Sequence, residues 1–411
     1  MISQLMRSWR WRCMTGLLLI LVMAVESGLS AADIALLPAQ VTGIDATSDR
    51  TVNCLLPAGV TLTGSITSEA DVLIVGGSVT ARSADTSFEG PIQFSPLDQS
   101  ARYEIVLPPG RYRLSVRAVF VVEETGSTLT VTFAEGEEMT VNDSTVHDLR
   151  VPSPPPVVRV RGTVRNLGDL DVERAAILFA TEDGMIQAST ALTEEYTLAV
   201  PVGRYVVSAL GLSPLLPDEL SELLNLELER VMISGDATVD VTLPPLVEVK
   251  GTIKMATGDP AITAQITVSN VDEQTTRAAV VISADATGGQ YRLLIPAGSY
   301  DAIAFVTFLL EEETQGVLGF PISTRRFHAD AGVELDFTIP PIGPIVTISG
   351  RVTDSQGDPV GGAFILASSV MLTDMPDTFF TAGVLSEDDG TFQIKVISGQ
   401  DYTVVCTPPP Q

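Results

Sequence analysis

The chain has 411 residues, enough for three or four ordinary domains, and its 45% apolar content with 33 glycines and 26 prolines suits turn-rich globular domains rather than disorder. Its 51 acidic side chains outnumber 24 basic ones, a formal charge of −27. A field of that sign argues against nucleic acid and anionic membrane as partners, and is compatible with divalent cations, a basic partner or a simply solvated surface.

In chain order, residues 1–32 read as a secretory signal. Arg7, Arg10 and Arg12 supply the basic region, Met14 to Val25 the apolar run, and Ser30-Ala31-Ala32 a small-residue cleavage site. The run is short for a membrane span, so no membrane insertion is expected after cleavage. Cleavage removes three arginines and Glu26, leaving 21 basic and 50 acidic side chains and a net charge of −29. The location implied is exported: periplasm, cell surface or outside the cell.

One stretch recurs four times: Tyr103 to Tyr112 around Gly110, Tyr196 to Tyr205 around Gly203, Tyr291 to Tyr300 around Gly298, and a looser Phe392 to Tyr402 around Gly399. Alternating apolar runs flank a glycine turn, which predicts a β-hairpin with glycine supplying the turn conformation. Upstream of each copy lies an alternating run ending in Gly64, Gly162, Gly251 or Gly350. Downstream, three copies finish in a strand that meets proline, at Pro152, Pro244 and Pro340. Prolines end strands and stiffen connections. The chain therefore divides into residues 33–57, then repeats 58–152, 157–244, 246–341 and 345–411. The pattern predicts an all-β chain of antiparallel β-sandwiches.

The fourth repeat, with Gly350-Arg-Val-Thr-Asp-Ser-Gln-Gly-Asp-Pro-Val-Gly-Gly-Ala363 and later Glu387-Asp-Asp-Gly-Thr-Phe392, resembles the carboxypeptidase regulatory-like domain. That is a transthyretin-like sandwich appended to some metallocarboxypeptidases and found in tandem in many exported bacterial proteins. Repeat three shares Gly258-Asp-Pro260 and Gly289-Gln-Tyr291; repeats one and two keep only the recurring stretch and the first and last strands. The resemblance implies four tandem transthyretin-like, Ig-like sandwiches and carries over no catalytic residue.

Three features depart from the repeat. Apolar residues at helical spacing between Ser213 and Arg230, opened by Pro217-Asp-Glu, predict one short helix inserted in the second repeat. Val121-Val-Glu-Glu124 and Phe308 to Glu313 read as strands entering acidic loops, where a partner could bind. The ends do not match: Thr51 to Pro57 copies a closing strand with no preceding repeat to close, and repeat four has none of its own. Either the first packs on repeat one while repeat four is merely short, or it completes repeat four of another molecule, head to tail.

Chemistry is sparse. The two histidines, His147 and His328, fall in different repeats, and no zinc spacing, nucleophile elbow or phosphate loop is present. Asp354, Asp358, Glu387, Asp388 and Asp389 are acidic turns able to offer calcium ligands, although Asp and Gly are also the default turn formers. Both tryptophans, Trp9 and Trp11, lie in the signal region, and the recurring stretch takes all seven tyrosines. Three lysines, Lys250, Lys254 and Lys395, are too few for an isopeptide in every repeat. After cleavage the cysteines are Cys54 and Cys406: two small buried hydrophobes, or a bridge that needs the termini of one chain, or two chains, to meet. The sequence thus reads as an exported, non-catalytic scaffold of structural, adhesive or protein-interaction type, its partner an unknown protein or polysaccharide. Cell-surface carbohydrate binding is the alternative. Laid end to end, such repeats would span roughly 120 Å.

Overall fold

The computed structural model describes residues 35–409 apart from 70–71, 85, 96–99, 134–135, 167–169, 172–174, 215–220, 257–262, 272–276, 284–287, 311–313, 340–342 and 370–378. The signal reading, the Pro340-Pro341 junction and the first part of the expected helix lie outside the described residues. Every regular element that is described is a β-strand.

Strand pairing repeats four times in two layers. In the smaller layer the opening strand runs antiparallel to one neighbour and parallel to a closing segment. Val60–Ser68 pairs with Ser100–Leu107 and with Thr145–Val146 and Leu149–Val151. Val157–Arg165 pairs with Glu195–Pro201, Ala237–Thr238 and Val241–Thr242. Leu246–Met255 pairs with Gln290–Pro296, Val333–Glu334 and Phe337–Ile339. In the fourth repeat Ile345–Thr353 pairs with Thr391–Ile397, but its parallel partners are Arg50–Thr51 and Cys54–Leu55, from the other end of the chain.

The larger layer is continuous. Each repeat contributes four antiparallel strands in one spatial order. In repeat two that order is Ile186–Ala191, Ala176–Ala180, Gly203–Pro214, Ser221–Ile233. Ser127–Phe133 of repeat one hydrogen-bonds to Ile186–Ala191, Ser221–Ile233 to Arg277–Ser283, and Thr314–Ala329 to Phe379–Leu385. Glu138–Val141 and Leu170–Asp171 add to Gly110–Val122 and Gly203–Pro214, and the small layer of repeat one joins through Ser87–Ser95, so the described sheet has 22 strands. The fourth strand of repeat four is again N-terminal: Ala39–Asp45 pairs with Asp401–Thr407, Ala39 opposite Cys406.

Alternation along these strands puts one set of side chains between the layers. Leu198, Val207, Ile266, Ala304, Ile348 and Val404 are wholly buried, and the buried side chains of all four repeats belong to one contiguous cluster. Residues 35–410 form a single compact unit. The expected beads on proline linkers are therefore fused, since an edge strand of one repeat satisfies its free amides on the next.

Four sequence expectations need correction. The recurring stretch is not a hairpin: its two strands do not pair with each other but enter different layers, so the glycine turn is a corner between sheets. The helix is absent from the described part, where Ser221–Ile233 is a strand. Leu224, Leu226 and Leu228 also alternate with period two, and pairing on both sides satisfies the backbone. Repeat four is complete, and its closing strand comes from residues 50–55 of the same chain, neither packed on repeat one nor donated by a second molecule. An end-to-end array of roughly 120 Å is excluded, because Leu55 lies in repeat four and Val60 opens repeat one.

Candidate functional site

The first three repeats are fastened by the same three groups, and the fourth by two of them. In repeat two the closing segment is interrupted at Val239, whose amide donates to the Arg161 carbonyl and whose own carbonyl turns over Gly162. A Cβ at Gly162 would lie 1.8 Å from that oxygen, so no other residue fits. The Tyr196 hydroxyl, from the first strand of the corner, donates to the same oxygen at 2.6 Å. Repeat one builds this from Gly64, His147 and Tyr103, with Tyr103 donating to the His147 carbonyl at 2.8 Å. Repeat three builds it from Gly251, Leu335 and Tyr291. In repeat four Gly350 lies under the carbonyl of Val52, and Phe392 stands where the others have tyrosine.

The second tyrosine of each stretch ties down the corner. Tyr112 donates to the Pro108 carbonyl at 2.7 Å, Tyr205 to Pro201 at 2.8 Å, Tyr300 to Pro296 at 2.9 Å and Tyr402 to Ile397 at 2.9 Å. A buried phenol needs such a partner. All seven tyrosines are buried, and burial pushes the Tyr103 and Tyr205 hydroxyls up to about 12 and raises the rest. The corner glycines serve less uniformly than expected. Gly399 does take a left-handed φ of 83°. Gly110 and Gly203 do not; at Gly110 a Cβ would meet the Tyr112 ring at 3.3 Å.

A third fastener joins closing to opening strand. Asp148 accepts the Ser65 amide and hydroxyl at 2.8 and 2.7 Å, Asp240 those of Thr163 at 2.9 Å each, and Asp336 those of Thr252 at 2.8 Å each. The bonds from Ser65 and Thr163 hold Asp148 and Asp240 below the usual carboxylate range. In repeat four Asn53 takes the place, accepting the Arg351 amide at 3.1 Å, while Asp49 accepts that of Thr347 at 2.8 Å.

Repeat four alone has a covalent lock. Cys54 on the closing strand and Cys406 in the large sheet form a disulfide, Cα atoms 6.5 Å apart, with both side chains buried. It bridges 352 residues and fixes the first described strands to the last. In the chain-entropy limit so long a loop is worth about 6 kcal/mol.

Two of the acidic turn candidates are occupied locally. Asp354 accepts the amides of Gln356 and Asp358, and Asp389 the amide and hydroxyl of Thr391, as turn formers do. Glu387 and Asp388 belong to the same turn as Asp389, with the Gly390 amide donating to the Glu387 carbonyl. Among the described residues no three His, Cys, Asp or Glu side chains gather where they could hold a metal ion. His147 serves through its carbonyl, and His328 meets Ser299 across a strand pair at 3.1 Å. The acidic stretch after Val122 is a turn at Glu123–Thr125; residues 311–313 lie outside the described set. No described helix is long and apolar enough to cross a membrane.

No family model matches the chain, and no curated protein matches it. Among solved structures it is similar to a leucine-rich repeat protein from Bacteroides thetaiotaomicron, at 12% identity and a TM-score of 0.18 over 45% of this chain; the chain spans 27% of that protein. It is similar to BcpA, the major pilin subunit of Bacillus cereus, at 12% identity and a TM-score of 0.17 over 68% of this chain and 99% of that one. The minor pilin GBS52 of Streptococcus agalactiae matches at 12% identity and a TM-score of 0.22, over 46% of this chain and 97% of that one. Likeness at these scores carries no inference about fold or function.

Proposed function

We propose that the chain is an exported, non-catalytic scaffold of four transthyretin-like sandwiches, related to the carboxypeptidase regulatory-like domain, that presents loops to a partner at the cell surface or outside the cell. The observation that carries this reading is the use of the repeated residues: Tyr103, Tyr196 and Tyr291 with Gly64, Gly162 and Gly251 are consumed in closing sandwiches. A buried disulfide suits an oxidising compartment. Ala39 lies opposite Cys406, so the first and last described strands meet in repeat four. Polysaccharide binding has less support, since the buried tyrosines leave no aromatic platform of their own.

Protease treatment of intact cells tests location, and attachment of cells lacking the protein tests role. Digestion of the chain at the surface and loss of attachment are expected. A chain protected inside the cell, or substrate turnover that tracks the folded protein, would contradict the proposal.

A further inference from the structure

The three junctions between repeats are all edge-to-edge strand pairings. Thr128–Val131 meets Ile186–Ser189, Ser221–Asn225 meets Arg277–Val281, and Gln315–Gly319 meets Phe379–Gly383. By the same logic the large sheet has, among the described residues, one unused half-junction at each end. Ala39–Asp45 is the counterpart of the donating strands Ser127–Phe133, Ser221–Ile233 and Thr314–Ala329. Ser87–Ser95 is the counterpart of the receiving strands Ile186–Ala191, Arg277–Ser283 and Phe379–Leu385. Two such edges would let a second copy continue the sheet head to tail.

Both edges are cut back where a junction would form. In the first three repeats the strand after the second tyrosine runs on to Val122, Pro214 and Leu310, and its far half backs the junction. Phe120 pairs with Leu129, Leu210 with Asn225 and Phe305 with Gly319. In repeat four the equivalent strand stops at Thr407, and Pro408 and Pro409 follow. Proline has no amide to give a ladder. Its partner strand starts only at Ala39, because residues 35–37 turn away to the connection into repeat one. Leu36 bridges Ala58, the Leu37 amide donates to the Pro57 carbonyl, and the Gly59 amide donates to the Ala35 carbonyl.

The other edge is spoiled differently. Ser87–Ser95 contains Pro91, and past it Ile92–Ser95 leaves the large layer to pair with Ser100–Tyr103 of the small one. Among the described residues none of its three counterparts makes that second pairing. At Gly90 a Cβ would lie 2.2 Å from the Glu104 carbonyl, so the crossing requires glycine.

We infer that these two edges are built as stops, and that the partner they exclude is a second copy of this chain. The pairing that fuses the four repeats internally is thereby denied to a second copy. The inference rests on strand geometry and stands whether or not the surface role holds.

The test is the mass of the full exported chain by light scattering across its solubility range, beside Pro91→Val alone, Pro408→Thr with Pro409→Val, and all three substitutions together. A one-chain mass is expected for the wild type and for each single-edge variant, and a mass that rises with concentration only in the triple variant supports the stops. A wild-type mass that rises with concentration would overturn the inference. Wild-type hydrogen exchange decides the matter if the triple variant fails to fold. Exchange at Ser87–Gly90 and Ala39–Val41 independent of concentration supports the stops, and protection that grows with concentration overturns them.

Discussion

Asn53 accepts the Arg351 amide at the position where Asp148 and Asp240 accept Ser65 and Thr163. The junction between the two ends of the chain thus uses an uncharged amide where repeats one and two use a carboxylate. Asp148 and Asp240 are held below their ordinary value of 3.8 by the bonds they accept. A depressed folded-state value means that their stabilisation is present above 3.8 and is lost as pH falls through the folded value. Acid should therefore release Leu149–Val151 and Val241–Thr242 before Cys54–Leu55. Hydrogen exchange read by mass spectrometry across mild to strong acid checks the order; simultaneous release would count against it.

At the alkaline end the signs reverse. Tyr103 and Tyr205 are raised from 10.0 to about 12, burial being the first cause. A raised folded-state value gives stability that is complete below 10 and is lost as pH rises through about 12. Tyrosinate absorbance should stay low past the ordinary tyrosine range and then rise together with loss of near-ultraviolet circular dichroism. Smooth titration near 10 with the fold intact would show the phenols to be accessible.

Tyr196→Phe removes the donor to the Val239 carbonyl and should cost about 1–3 kcal/mol. Repeat four offers the reverse experiment, because Phe392 lies beside Gly350 and the Val52 carbonyl. Phe392→Tyr should add the missing bond and gain about 1 kcal/mol. Denaturant unfolding of both variants checks the pair of signs.

These fasteners mark how far the sequence could be read. The four Tyr–Gly stretches and the four opening-strand glycines stand out in the sequence, and so do their spacing and the alternation that makes the chain all-β. Their joint purpose does not, because the third member is a carbonyl, at His147, Val239, Leu335 or Val52, and a carbonyl has no residue signature. The corner was legible as a turn but not as a change of sheet, since alternation looks the same on either side of a hairpin or an arch. The helix expected after Ser213 failed because leucines spaced for a helix also alternate, and pairing with Arg277–Ser283 decided between the two. Thr51 to Pro57 was recognisable as a closing strand; only the fold could say that it closes the last repeat of its own chain.

Gly162→Ala forces a Cβ to within 1.8 Å of the Val239 oxygen and must displace the closing strand. A loss of more than about 3 kcal/mol is expected. Gly76→Ala, where a Cβ meets nothing within 4 Å, should be close to neutral. Thermal melts of the two variants side by side test whether close approach, and not glycine content, sets the requirement.

One chain closes on itself through Cys54 and Cys406. Peptide mapping of the non-reduced chain, after its mass in solution has been measured, tests it most directly. A Cys54 peptide linked to a Cys406 peptide is expected in protein of one-chain mass. Free thiols at both positions, or the same link found only in protein of two-chain mass, would contradict it.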